Sequence, residues 1–172
     1  MAKRIAVYAD WDGLPDPLRL GFLHVHPGAR HEIFEYEYDS AVLAHPHLIN
    51  LRLDPRLGLY PGRQHPAQTS HVFGVFADAS PDRWGRMLMQ RRLEREQRAG
   101  VVDKNVRLHE SDFLLGVHDA YRPGALRFKL NDSGDFLDNH HDMAAPPFVQ
   151  LRELEAASRA LEREPNNVSE KN

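Results

Sequence analysis

From Arg4 to Trp11 apolar and polar positions alternate, with Ile5, Val7, Ala9 and Trp11 on one side and Ala6, Tyr8 and Asp10 on the other, which predicts a β-strand. The Asp12-Gly13 pair after it is a turn signal. Arg19 to Val25 is apolar enough for a second strand, and Pro27-Gly28 breaks the chain before a third from His31 to Tyr38. In the third, Phe34, Tyr36 and Tyr38 share one face while Glu35 and Glu37 share the other, the pattern of an antiparallel strand half in water. Three strands with short turns predict a meander.

The pattern then changes. Between Ala44 and Thr69, Pro46, Pro55, Pro61 and Pro66 divide the chain into irregular connections. A short helix is expected over Ser70–Ala77, with Val72, Phe73, Val75 and Phe76 packing under the sheet. Ser80-Pro81-Asp82 signals the start of a long helix running to Gly100, because Ser can cap, Pro fits the first turn and Asp suits its positive end. Ser111 to Val117 reads as another short helix, and Gly124 to Leu130 as a strand entered from a Pro123-Gly124 turn. Leu151, Leu154, Ala157 and Leu161 recur at helical spacing near the end of the chain.

These elements predict an α+β fold: an antiparallel sheet of about four or five strands packed by one long and several short helices, with no kinase core. The expected divisions are a domain over 1–132, a linker over 133–147, an amphipathic helix over 148–164 and a disordered tail over 165–172.

With 172 residues, 41% hydrophobic and 27% charged, the chain has the composition of one globular domain plus a tail. The absence of cysteine rules out disulfides, a thiolate nucleophile and Cys-ligated zinc. The apolar stretch Ile5 to Ala9 is too short for a signal-peptide core, so the cytoplasm is the expected compartment. A net charge of -3 argues against a chain devoted to nucleic acid.

Signature motifs of enzymes are missing: no phosphate cradle, no nucleophile elbow and no His-Glu-x-x-His occurs. Among the eleven histidines, His24 with His26, His45 with His47, and His140-His141-Asp142 are candidate metal pairs, but each lacks a third ligand at diagnostic spacing. Solvated loop histidines are the better reading. Glu32, Glu35 and Glu37 are read as solvent-facing charges, because nothing in the sequence sets their pKa values apart. From Arg83 to Arg107 eight basic residues face three acids, a stripe that suits either a solvated helix face with Glu94 and Arg98 paired, or an acidic partner or phosphates. Trp84 lies within this helix beside Gly85. Its spacing with Met87 and Leu88 suits a core position, whereas a Trp flanked by arginines suits the centre of an interface.

The run Val75-Phe76-Ala77-Asp78-Ala79-Ser80-Pro81-Asp82-Arg83-Trp84-Gly85-Arg86, then Asp112-Phe113-Leu114-Leu115-Gly116-Val117, then Gly124-Ala125-Leu126-Arg127-Phe128, resembles the N-terminal region of the HipA family of toxin-antitoxin kinases. The opening strand with Tyr8 to Gly13 and the Pro146-Pro147-Phe148 segment extend the resemblance over about residues 4–163. In that family the region precedes a kinase core, none of whose catalytic residues can be carried over to this sequence. The resemblance implies a non-catalytic domain without cofactor or metal that binds a HipA- or HipT-like kinase, beside a HipB-like DNA-binding protein. It is also similar to the free-standing HipS antitoxins of split systems. The partner-binding residues implied are Asp82, Arg83, Trp84 and Arg86 at the start of the long helix, with Trp84 as the anchor that enters or covers the kinase cleft. A structural N-terminal domain of a HipA-like kinase is the alternative. A nucleic-acid-binding protein using the Arg83–Arg107 stripe and a histidine-based metalloenzyme are the readings from other classes.

Overall fold

The computed structural model describes residues 2–45, 52–67, 70–119, 122–131 and 133–137. Three consecutive strands, β1 (Lys3–Ala9), β2 (Leu18–His26) and β3 (Ile33–Tyr38), form the expected meander. The strand β4 (Leu126–Lys129) returns to pair antiparallel with β1, so the sheet order is β3-β2-β1-β4. Among the described residues four helices connect them: α1 (Ser40–Leu43), α2 (Gly74–Asp78), α3 (Arg83–Arg98) and α4 (Glu110–Leu115). This is an α+β architecture, and no kinase core is seen among the described residues.

Alternation decides which face of the sheet is buried. Ile5, Val7 and Ala9 of β1, Leu23 and Val25 of β2, Phe34, Tyr36 and Tyr38 of β3, and Leu126 and Phe128 of β4 join one core with Val42, Phe73, Phe76 and Leu114. The aromatic rings carry much of this contact: Tyr36 meets both Phe73 and Phe76, and Phe76 meets Phe128. The pairing of β1 with β2 slips between Val7 and Tyr8, so that Leu20 is the extra residue of a bulge and becomes fully buried. Gly21 follows it because only a bare Cα fits: a Cβ there would sit 2.1 Å from the Glu37 carbonyl oxygen.

Helix boundaries differ from the expected ones for identifiable reasons. The α3 helix starts at Arg83 rather than at Ser80, because the Ser80 hydroxyl donates back to the Phe76 carbonyl while Asp82 takes the capping role. The helix α2 starts at Gly74, and its Val75 N–H is satisfied from a distance by the buried carboxylate of Asp54. At α4 the carboxylate of Asp112 accepts from the His109 backbone N–H, which moves the start ahead of Ser111.

Residues 133–137, inside the stretch expected as linker, lie against the sheet. Phe136 packs edge-on to Tyr8, and the Leu137 N–H donates to the Phe128 carbonyl. The remainder of the expected linker, the 148–164 helix and the 165–172 tail lie outside the described residues. Among the described residues no helix is long and apolar enough to cross a membrane.

Candidate functional site

Sixteen residues long, α3 has no fully buried side chain, although one side of it, including Met87, Leu88, Met89 and Leu93, is half-buried. A helix of that length usually owes its stability to a buried apolar stripe, and isolated helices near this length are marginal in water. Here a well-built N-terminus and a few anchors hold it. The Asp82 carboxylate accepts from the Gly85 N–H at 2.8 Å. Gly85 permits the tight corner, since a Cβ there would come 2.8 Å from the Pro81 ring.

Arg86 is the principal anchor. Its Nη1 and Nη2 donate to the two carboxylate oxygens of Glu110 at 2.7 and 2.9 Å, and its Nε donates to the Pro81 carbonyl at 3.1 Å. The guanidinium also stacks 4.7 Å from the Phe113 ring. The Glu110 hydrogen bonds raise the pKa of Arg86 further above its ordinary value, against the opposing effect of burial. Farther along, a Cβ on Gly116 would meet Met89, so α4 comes close to α3 there, and the Gln97 amide donates to the Asp103 and Val106 carbonyls.

The four predicted partner-binding residues therefore divide into two pairs. Asp82 and Arg86 are committed to the framework of the helix. Arg83 and Trp84 are exposed, with Trp84 at 41%, and neither makes a hydrogen bond or ion pair among the described residues. Of the basic stripe, Arg92 pairs with Glu96 and Arg98 with Glu94, the latter at 3.4 Å. No carboxylate faces Arg83, Arg91, Arg95 or Lys104 among the described residues. A hollow of about 850 Å³ opens between the C-terminal half of α3 and the 104–108 loop, with Leu93, Val106 and Leu108 as apolar lining and Arg98, Lys104 and Arg107 around them.

Sequence reasoning missed Arg122, which holds this corner to the sheet. It is only 8% exposed; its Nη1 donates to the Ala79 and Leu114 carbonyls at 3.0 and 2.6 Å, its Nη2 to the Val117 carbonyl at 2.9 Å, and the guanidinium lies 4.5 Å from the Phe128 ring. Those carbonyls sit where α2 and α4 end, where a cation is favoured by the helix dipole. Arg122 thus draws together the 75–86, 112–117 and 124–128 runs.

The remaining chemically suggestive groups are otherwise employed. Ser111 sits beside Lys3 Nζ at 2.7 Å and Glu32 Oε1 at 2.7 Å, but it is fully buried and bonded into the sheet edge. Glu32 and Glu35 are not simple solvated charges. Burial opposes ionisation of Glu35, yet hydrogen bonds from Arg63 and His26 hold its pKa below the ordinary carboxylate value. On the outer face of the sheet His24 and His26 reach diagonally to Glu37 and Glu35, at 3.6 and 3.2 Å. No group of three or more such residues is placed to hold a metal ion among the described residues; His47 and His140-His141-Asp142 lie outside them. No family model, curated protein or solved structure matches the chain.

Proposed function

We propose that this chain is a non-catalytic protein-binding domain of a HipA-type toxin-antitoxin system that binds and inhibits a separate HipT-like serine/threonine kinase. The observation that carries the reading is Trp84: a half-exposed indole on the first turn of a capped helix none of whose side chains is fully buried. An aromatic anchor on a rigid support, rimmed by the cation of Arg83, has the make-up of an interface centre. Rigidity matters because an anchor fixed before binding loses little entropy on docking. The bidentate Arg86–Glu110 pair and the Asp82 cap supply that rigidity.

The three sequence runs that resemble the HipA N-terminal region meet around Arg122, which supports reading them as one functional unit. A second reading, a structural N-terminal domain held against a kinase core with a HipB-like protein nearby, draws on the same open helix. Co-purification with a HipT-like kinase, should the adjacent reading frame encode one, followed by an autophosphorylation assay with and without this chain, separates them. Binding with lost kinase activity supports the antitoxin role; binding with activity kept or raised supports the structural role; no binding removes both.

A further inference from the structure

The outer face of the sheet carries a feature that partner binding through α3 does not use. Strand alternation puts Arg4, Phe22 and Lys129 on this face, with Ala6 lying between Phe22 and Lys129 in the register. The neighbouring cations there are matched by acids: Arg19 with Asp39 at 2.8 Å, Arg63 with Glu35 at 2.9 Å, and Arg127 with Asp10 and Asp119. Arg4 and Lys129 have no carboxylate partner among the described residues. Aromatic rings hold them instead. The Arg4 guanidinium lies 3.6 Å above Phe22, and Lys129 Nζ lies 4.4 Å from Phe136 and 5.4 Å from Tyr8.

That distinction has chemical content. A carboxylate partner would fix a cation and neutralise it, whereas a ring fixes it and leaves its charge available. Beside Arg4 lies a hollow of about 440 Å³ lined by Ala6, Phe22, Leu130, Asn131 and Ser133. Its lining residues Arg4, Asn131 and Ser133 carry a guanidinium, an amide and a hydroxyl that can donate, and Phe22 with the half-exposed Leu130 are apolar. The volume is in the range that holds a small organic molecule.

We propose that this hollow binds a small organic phosphomonoester, its phosphoryl group on Arg4, Asn131 and Ser133 and its apolar body against Phe22 and Leu130. The guanidinium of Arg4 can offer two parallel N–H groups to the phosphate oxygens, and Lys129, outside the lining, leaves this face of the sheet with a second unneutralised cation. The site is independent of the α3 surface.

The test is an amide NMR titration of the full chain with phenyl phosphate, with inorganic phosphate and phenol as the separate halves of the ligand. Phenyl phosphate is expected to give saturable shifts at Ala6, Phe22 and Ser133, at least about tenfold tighter than either half. Exchanging the exposed Arg4 for Gln is expected to weaken binding about tenfold or more with the core resonances in place, and Ser133→Ala to weaken it less. Absence of saturable shifts, equal affinity in Arg4→Gln, or inorganic phosphate or phenol binding as tightly as phenyl phosphate would overturn the proposal.

Discussion

Replacing Arg122 by Met tests how the corner beneath Trp84 is held. The unbranched side chain of Met keeps contact with Phe128 but leaves three carbonyls, those of Ala79, Leu114 and Val117, without the guanidinium. Hydrogen bonds to a charged group are worth about 1.5–3 kcal/mol each, and buried acceptors left unpaired cost about 1–3 kcal/mol. Relief from the cost of burying a cation, and partial access of water to helix ends, offset part of this. A net loss of roughly 4 kcal/mol follows, and with a urea dependence of about 2 kcal/mol per molar the unfolding midpoint should fall by about 2 M. Urea titration followed by far-UV circular dichroism and by Trp84 fluorescence in a Trp11→Phe background reads both the global transition and the corner. Arg122→Lys should recover less than half, because one ammonium cannot serve three divergent carbonyls. A midpoint for Arg122→Met at or above that of the parent would show instead that the cost of burying the charge outweighs its bonds.

Three further outcomes follow from the same geometry. Asp82→Ala removes the cap on Gly85 and should cost about 1 kcal/mol in urea unfolding, with Asp82→Asn close to neutral; equal losses in both would show that the cap is not the cause. Gly21→Ala drives a Cβ into the Glu37 carbonyl and should cost at least about 2 kcal/mol, while the same change at Gly62, where a Cβ meets nothing, should cost only its left-handed backbone strain of about 1 kcal/mol. Burial first, then the charges of Arg63 and Arg4, hold His24 below its ordinary pKa of 6.5, with Glu37 opposing them. The unfolded chain then takes up the proton first as pH falls, so stability is full above about 6.5 and is lost in the window beneath it, down to the folded pKa. Urea midpoints between pH 7.5 and 5 should show a decline that His24→Gln reduces; an unchanged decline would contradict the assignment.

The sheet was legible because alternation in Phe34-Glu35-Tyr36-Glu37-Tyr38 assigns faces without reference to the rest of the chain. The helix α1 carried no comparable signal: four residues are too few to show a 3.6 period. In sequence Ser80 reads as the start of α3, with Asp82 only as a favourable charge in the first turn, and the structure moves the cap to Asp82. The choice falls to Asp82 through contacts outside the local window, with Ser80 returning to Phe76 and the Pro81 carbonyl taken by Arg86. Arg122 and Asp54 could not be found by pattern, since their partners are backbone groups of Ala79 and Val75, 43 and 21 residues away. Backbone groups are the same in every sequence, so only the fold reveals which of them need a partner. For the same reason the sequence named the four residues at the start of α3 together, and only the geometry separates the two that build the helix from the two that face outward.

Trp84→Ala is the measurement that bears most directly on the proposed role. The indole is 41% exposed and its remaining surface is covered, so its truncation should cost about 1–2 kcal/mol, and the urea midpoint reports whether the variant is still folded at the assay temperature. A central interface Trp is worth about 2–4 kcal/mol, so affinity for the proposed HipT-like kinase should fall by about 30- to 1,000-fold and autophosphorylation should return at concentrations where the parent suppresses it. Inhibition by Trp84→Ala equal to that of the parent, in a protein shown to be folded, would contradict the account.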